Sequence, residues 1–340
     1  VLEAYRTEIR LAVVVAALIV VFTVLFPDQF GTLRNAENLS RYIAVLFVVT
    51  LGQSFALLVG GFDISVAATM GLSSTVAALV MLDYGMAAGL VAGLLAAAAV
   101  GLINGVLIAV CGVSPFVATL GVMSIVTGYA NVISDGRSVS GLPDSVAWIG
   151  RADWGPVPSA LAIAGIAGLV SWALLNWTRT GLNLYAIGGS RAASVVAGVP
   201  VRRYELLAYT MCGLCAGLAG LMLMSRVGVG QASLGSGYEL RSIATAVIGG
   251  FVIGGGAGRI SGIVLGVLLL SILTTGMNIA GISEFVQQML TGAVLVGAVL
   301  VDRFRRTRSG RRPAAGPPSV VAYDGAPAMP SPNTESQEKS

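Results

Sequence analysis

Long apolar runs alternate with short polar breaks along this chain, and the runs have the length of membrane-crossing helices. A helix needs about 20 largely apolar residues to cross the hydrocarbon core of a bilayer. About ten runs approach that length: residues 9–26, 41–59, 65–82, 86–110, 115–134, 159–177, 204–225, 238–253, 260–280 and 284–301. The first is followed by Phe26-Pro27-Asp28 and lacks a small-residue cleavage site, so it reads as a span and not a signal peptide. The predicted fold class is therefore all-α: a polytopic membrane protein with about ten transmembrane helices. Its membrane domain covers residues 1–308. Residues 309–340 are rich in Pro, Ala, Gly and Ser without apolar periodicity, which predicts a disordered tail.

The most informative polar break is 179–203, RTGLNLYAIGGSRAASVVAGVPVRR. A segment this charged, set among spans, must sit in water. Arg179, Arg191, Arg202 and Arg203 place it on the cytoplasmic side by the positive-inside rule. Within it, Ser190 to Gly198 is short, Ala-rich and opened by a serine, which predicts a small helix with its own N-cap. The same rule puts both termini in the cytoplasm. Arg6 and Arg10 lie before or within the first run, and Arg303, Arg305, Arg306, Arg308, Arg311 and Arg312 follow the last. That topology leaves only Arg34, Arg41, Arg137, Arg151, Arg226 and Arg241 outside.

Composition agrees and removes several function classes. Charged residues are 11% of the chain, against about 25% in soluble domains, and the mean hydropathy is +0.86. The 45 glycines suit helices packed closely in lipid. The net charge of +4 is concentrated at cytoplasmic ends, so it reads as topology and not as nucleic-acid binding. There is no histidine, and the only lysine is Lys339. A phosphate-binding Gly-x-x-x-x-Gly-Lys loop is therefore excluded, as are His-based catalysis, His metal ligands and Schiff-base lysines. Cys212 and Cys215 spell C-x-x-C inside an apolar run, where they read as small packing residues.

Few polar residues fall at membrane depth. Gly60-Gly61-Phe62-Asp63-Ile64-Ser65 interrupts the apolar pattern between two runs. It fits either a plain cytoplasmic turn or a broken segment buried in protein. Gln53, Asn104, Asn131, Gln287 and Gln288 fit interhelical hydrogen bonds or solute contacts. Glu239 and Arg241 open the eighth run on its outer side, and a second glycine run at 249–259 predicts a tight hairpin between spans. The long outward loop 135–158 carries Trp148, Trp154, Arg137, Asp144, Arg151 and Asp153. It fits a solvated connector with interfacial tryptophan anchors, or a docking surface for an external protein.

Four stretches carry a family resemblance. They are GGFDISV at 60–66, SPFVATLGVMSIVTGYANVISDGRSVSG at 114–141, YAIGGSRAASVVAG at 185–198, and the segment 235–258 followed by Asn278 and Gln287-Gln288. In this order they resemble the membrane permease subunit of ribose-type (monosaccharide) ABC importers, over about residues 41–302. The resemblance implies the ABC importer permease fold in a bacterial cytoplasmic (inner) membrane. It implies a non-catalytic subunit without cofactor or metal, powered by a separate ABC ATPase subunit. An extracytoplasmic solute-binding protein would load it, and a second permease copy would complete the pathway within the lipid. It assigns ATPase coupling to Ser190, Arg191, Ala192, Ala193 and Gly198. Pathway candidates are Asp63, Ser65, Asn104, Thr119, Tyr238 and Glu239, and binding-protein docking candidates are Arg137 and Arg151.

The chain departs from the family pattern at Arg241, where an aspartate is usual, and at Phe251-Val252, where Thr-Ser is usual. Ser190 stands for an asparagine and Ala67 for a glycine. The first two departures open the solute to another pentose, a hexose, a polyol or another small polar molecule. Two alternatives stand beside a sugar permease: an ABC permease for a branched-chain amino acid, and an ion-coupled secondary transporter. The second would carry ionisable residues deep in several spans, whereas Asp63 is the one deep charge here.

Overall fold

The computed structural model describes residues 6–155, 157–293 and 296–297. The tail 309–340, Arg303 to Arg312, and part of the run 284–301 lie outside the described residues; 284–293 are helical.

The fold is built from helices α1 (Arg6–Leu25), α2 (Leu33–Leu58), α3 (Val66–Ala109), α4 (Pro115–Ile133), α5 (Ala147–Gly150) and α6 (Ser159–Trp177). Then follow α7 (Arg179–Gly189), α8 (Arg191–Val196), α9 (Val201–Val227), α10 (Tyr238–Ile248) and α11 (Ile260–Ile279). Two-residue strands β1 (Asp153–Trp154) and β2 (Val157–Pro158) pair in the loop before α6. Among the described residues, seven helices are long and apolar enough to cross a membrane.

Besides the run 284–301, which lies partly outside the described residues, two features separate that number from the expected ten. First, α3 holds two expected spans. Its 44 residues break at Gly85, with φ 82° and ψ 173°, a conformation open to glycine and strained for other residues. The two limbs fold back on each other: a Cβ on Gly93 would lie 2.7 Å from the Ser73 carbonyl oxygen, and one on Gly89 2.6 Å from that of Ala77. Second, the expected span 238–253 is corrected. The helix α10 stops at Ile248 after 11 residues, a length of about 16 Å against a hydrocarbon core of about 30 Å. Gly250, at φ 93°, turns the chain, and Phe251 packs into the core without helical backbone. An apolar run is a helix only while its backbone allows it, and the Gly249-Gly250 pair ends this one.

The rest of that crossing is non-helical. Residues 228–237 run back along the first limb of α3, where Ser74 Oγ donates to the Gln231 carbonyl (3.1 Å) and accepts from the Gln231 N–H (3.2 Å). Irregular backbone at this depth is tolerated because protein satisfies its polar groups.

The core lies between α2, α3 and α9. The stretch of α2 from Ala44 to Leu58 is almost wholly buried. Close approach of α3 and α9 depends on small residues: a Cβ on Gly213 would lie 2.9 Å from the Gly101 Cα. Cys212 and Cys215 of α9 are free and buried, packed against Gly52 of α2, as their packing reading predicts. The rim is formed by α1 against α11. Exposed outward faces carry Val24, Ile125 and Leu169, an apolar surface that lipid, not water, would cover.

Candidate functional site

The polar break 179–203 folds as two short helices. Thr178 caps α7, accepting from the Gly181 N–H at 3.4 Å, and Ser190 caps α8, accepting from the Ala193 N–H at 3.3 Å. The far end of α8 closes by a paired motif: the Val199 N–H donates to Ser194 O and the Gly198 N–H to Val195 O, each at 3.0 Å. Gly198, at φ 77°, supplies the left-handed residue this ending needs. The small helix expected at 190–198 is thus observed with both of its caps. Sequence reasoning missed α7, whose only clear signal is the capping Thr178.

Ala192, Ala193, Val195 and Val196 are exposed on α8, Val196 at 90%. Arg191, exposed as well, turns its guanidinium onto α9. Its Nε donates to Glu205 Oε1 at 2.8 Å and its terminal nitrogen to Oε2 at 3.3 Å, a two-point pair onto α9. This hydrogen-bonded carboxylate raises the Arg191 pKa, while burial works weakly against it. Glu205 is buried and was not singled out by sequence; its partner lies 14 residues away across a turn, beyond any helical spacing.

The segment enters α8 through a glycine junction. A Cβ on Gly188 would overlap the Leu58 carbonyl oxygen and lie 2.9 Å from the Gly255 carbonyl carbon. The Gly256 N–H donates to Leu58 O at 3.0 Å. Three connections therefore meet backbone to backbone: 59–65, the end of α7, and 249–259. Tyr185 adds a hydrogen bond from its hydroxyl to Gly258 O at 2.9 Å, and burial raises its phenol pKa.

The connection between α2 and α3 is buried, and it lies on the same side of the molecule as α8. Asp63 Oδ1 accepts from the Ser65 N–H (2.8 Å) and Oγ (2.6 Å). Asn104 Nδ2 donates to Asp63 Oδ2 (3.2 Å) and Ser65 Oγ (2.8 Å). The Gln53 amide meets the Asp63 backbone in the orientation that satisfies both groups, with its nitrogen 3.0 Å from the carbonyl oxygen and its oxygen 3.0 Å from the N–H. Thr119 Oγ1 accepts from the Ile64 N–H at 3.3 Å. A buried carboxylate persists only with such partners. The structure thus joins Asp63, Ser65, Asn104 and Thr119 in one sealed network.

Tyr238 and Glu239 are not part of it. They open α10, whereas the Asp63 carboxylate is held by Ser65 and Asn104. Glu239 Oε2 is buried without a hydrogen-bond partner among the described residues. Beside them, Arg241 donates to the Tyr42 hydroxyl at 3.3 Å, lies 3.9 Å from Glu284 Oε1 and stands 6.0 Å from the Tyr238 ring centre.

The long loop is tied down at several points. Val139 and Gly230 exchange backbone hydrogen bonds at 2.8 and 2.9 Å. Ser225 Oγ accepts from the Gly150 N–H at 2.9 Å, and Arg41 pairs with Asp153 at 2.9 Å. Trp148 and Trp154 stack with ring centres 4.6 Å apart. Arg137 and Arg151 are both exposed.

Comparison with known proteins places this geometry. Residues 35–299 match the family described as branched-chain amino acid transport system / permease component. The chain is 34% identical to the ribose import permease protein RbsC of Escherichia coli (strain K12), over 88% of this chain and 95% of that protein. It is 36% identical to the D-allose transport system permease protein AlsC of the same strain, over 88% and 92% of the two chains. The L-arabinose transport system permease protein AraH, again from that strain, is 36% identical over 86% and 90%. No solved structure matches the chain.

Proposed function

The chain belongs to the family of branched-chain amino acid transport system / permease components, and from that membership we propose that it translocates a monosaccharide or related small polar solute. It is a multi-pass, non-catalytic membrane subunit of the importer type found in its sugar-permease relatives. The family description names branched-chain amino acids, but the relatives matched over most of their length carry ribose, allose and arabinose in their names. The sugar reading follows the relatives.

The observation that carries the mechanism is α8: a short helix, capped at both ends, with an exposed face of Ala192, Ala193, Val195 and Val196. Such a face is suited to the groove of a separate ABC ATPase subunit. Ser190 and Gly198 fix the ends of the helix, and Arg191 holds it against α9. With α8 in the cytoplasm, both termini are cytoplasmic and the loop bearing Arg137 and Arg151 faces an extracytoplasmic solute-binding protein. A second copy of the chain completes the pathway. Tyr238 and Glu239, on the half-length α10, are proposed to line it. Asp63, Ser65, Asn104 and Thr119 are proposed to hold the backbone connection beside it.

The solute is tested by uptake of labelled pentoses, hexoses, polyols and branched-chain amino acids in a strain lacking the chain. Loss of uptake of one sugar or polyol is expected, restored by the chain. Loss confined to a branched-chain amino acid would overturn the sugar reading.

A further inference from the structure

Glu205 has no role in the account so far beyond pairing with Arg191, yet it sits where two parts of the molecule meet. It occupies the buried face of α9 together with Tyr209 and Cys212, at the i, i+4, i+7 spacing that aligns side chains along a helix. At one end of this row, the Glu205 carboxylate grips α8 through Arg191. One turn further, Tyr209 is buried, and a Cβ on Gly61 would overlap its hydroxyl. Another turn on, Cys212 lies beside Asp63, and its backbone packs on Gly52 of α2. The row therefore runs from α8 to the buried connection 60–65. The glycine junction joins the same two parts on the other side, through Gly188 against Leu58 O.

Two contacts along the row are tight. The Glu205 carboxylate is buried and held at two points. The Gly61–Tyr209 contact leaves no space for a methyl group. Tightly packed elements shift between discrete arrangements and do not deform smoothly.

We propose that Glu205 is a positioning residue that makes α8 and the connection 60–65 move as one body, so that movement of the ATPase subunit opens or closes the Asp63 network. This rests on the coupling role given to α8 above. The chain carries its own reporter, because Cys212 is buried next to Asp63.

The test uses the full chain with Cys111→Ser and Cys215→Ser, assembled with its ATPase subunit and captured through a tag on that subunit, so that only assembled complexes are read. The rate of Cys212 modification by a small methanethiosulfonate reagent is compared without nucleotide and after trapping with ATP and orthovanadate. The expected result is a change of at least about tenfold on trapping, as a shift in an opening equilibrium would give. Glu205→Gln abolishes that change while the nucleotide-free rate stays within about twofold of the parent, since a merely loosened core would raise both rates. Arg191→Gln, altered at the exposed partner, has the same effect and covers the case in which Glu205→Gln fails to assemble. Retention of the trapping response in either variant overturns the proposal, as does a parent complex whose Cys212 rate ignores trapping. Failure of the parent chain to capture any ATPase subunit would instead overturn the permease reading beneath it.

Discussion

Asn104 ties the second limb of α3 to the Asp63 carboxylate, because its amide reaches both Asp63 Oδ2 and Ser65 Oγ. Asn104→Ala removes both bonds and leaves a buried acceptor short of a partner, which costs about 1–3 kcal/mol. A lowered midpoint of thermal unfolding in detergent is expected; an unchanged midpoint would show that the network does not stabilise the connection. Ala193 poses a different test. It is exposed on α8, so Ala193→Glu should leave the fold intact while adding bulk and charge to the face that meets the ATPase subunit. The expected outcome is lost stimulation of ATP hydrolysis by the binding protein, at unchanged permease level in the membrane. Wild-type stimulation would remove α8 from that interface. At this scale the sequence pointed to Asp63, a lone charge in an apolar context, and to the cap at Ser190. It did not point to Glu205, whose meaning depends on a guanidinium brought to it by a turn.

Whole elements were legible where apolar length and helix ends coincide. The runs 159–177 and 260–280 are observed as Ser159–Trp177 and Ile260–Ile279. The helix α2 begins at Leu33, eight residues ahead of the expected start at 41, because its first turns are polar and capped by Thr32. Apolar length alone cannot see such an extension. The half-length α10 was illegible for the opposite reason: Phe251, Val252 and Ile253 keep the run apolar after Gly249-Gly250 has ended the helix. The junction of connections 59–65, 179–190 and 249–259 could not be read from sequence, since three glycine pairs far apart give no sign that they touch. It carries a prediction. Gly188→Ala places a methyl group against the Leu58 carbonyl oxygen, so the end of α7 must move away. Backbone amide exchange over 186–199 should rise at least about tenfold, as local opening becomes easier. Unchanged exchange would show that the contact is slack.

In the proposed topology the whole molecule is a membrane subunit powered from one side and loaded from the other. Arg137 and Arg151 lie on the loop opposite α8 in the proposed topology, and a second copy of the chain would present each of them twice. Rim charges act mainly on the rate of encounter, and salt screens them. Arg151→Glu and Arg137→Glu should slow association with the solute-binding protein at low salt and flatten the salt dependence. Unchanged rates and slope for both would return the loop to a connector held by Arg41–Asp153 and its stacked tryptophans.

The central claim is that this chain carries solute but supplies no energy, having no phosphate loop and a lone lysine at residue 339. It is tested most directly by reconstitution into vesicles, alone or with its ATPase subunit and solute-binding protein, with ATP hydrolysis and uptake of labelled monosaccharides measured together. The account predicts that the chain alone does neither, and that the complete assembly takes up at least one monosaccharide only when ATP is supplied on the α8 side. ATP hydrolysis or solute uptake by the chain alone would contradict it.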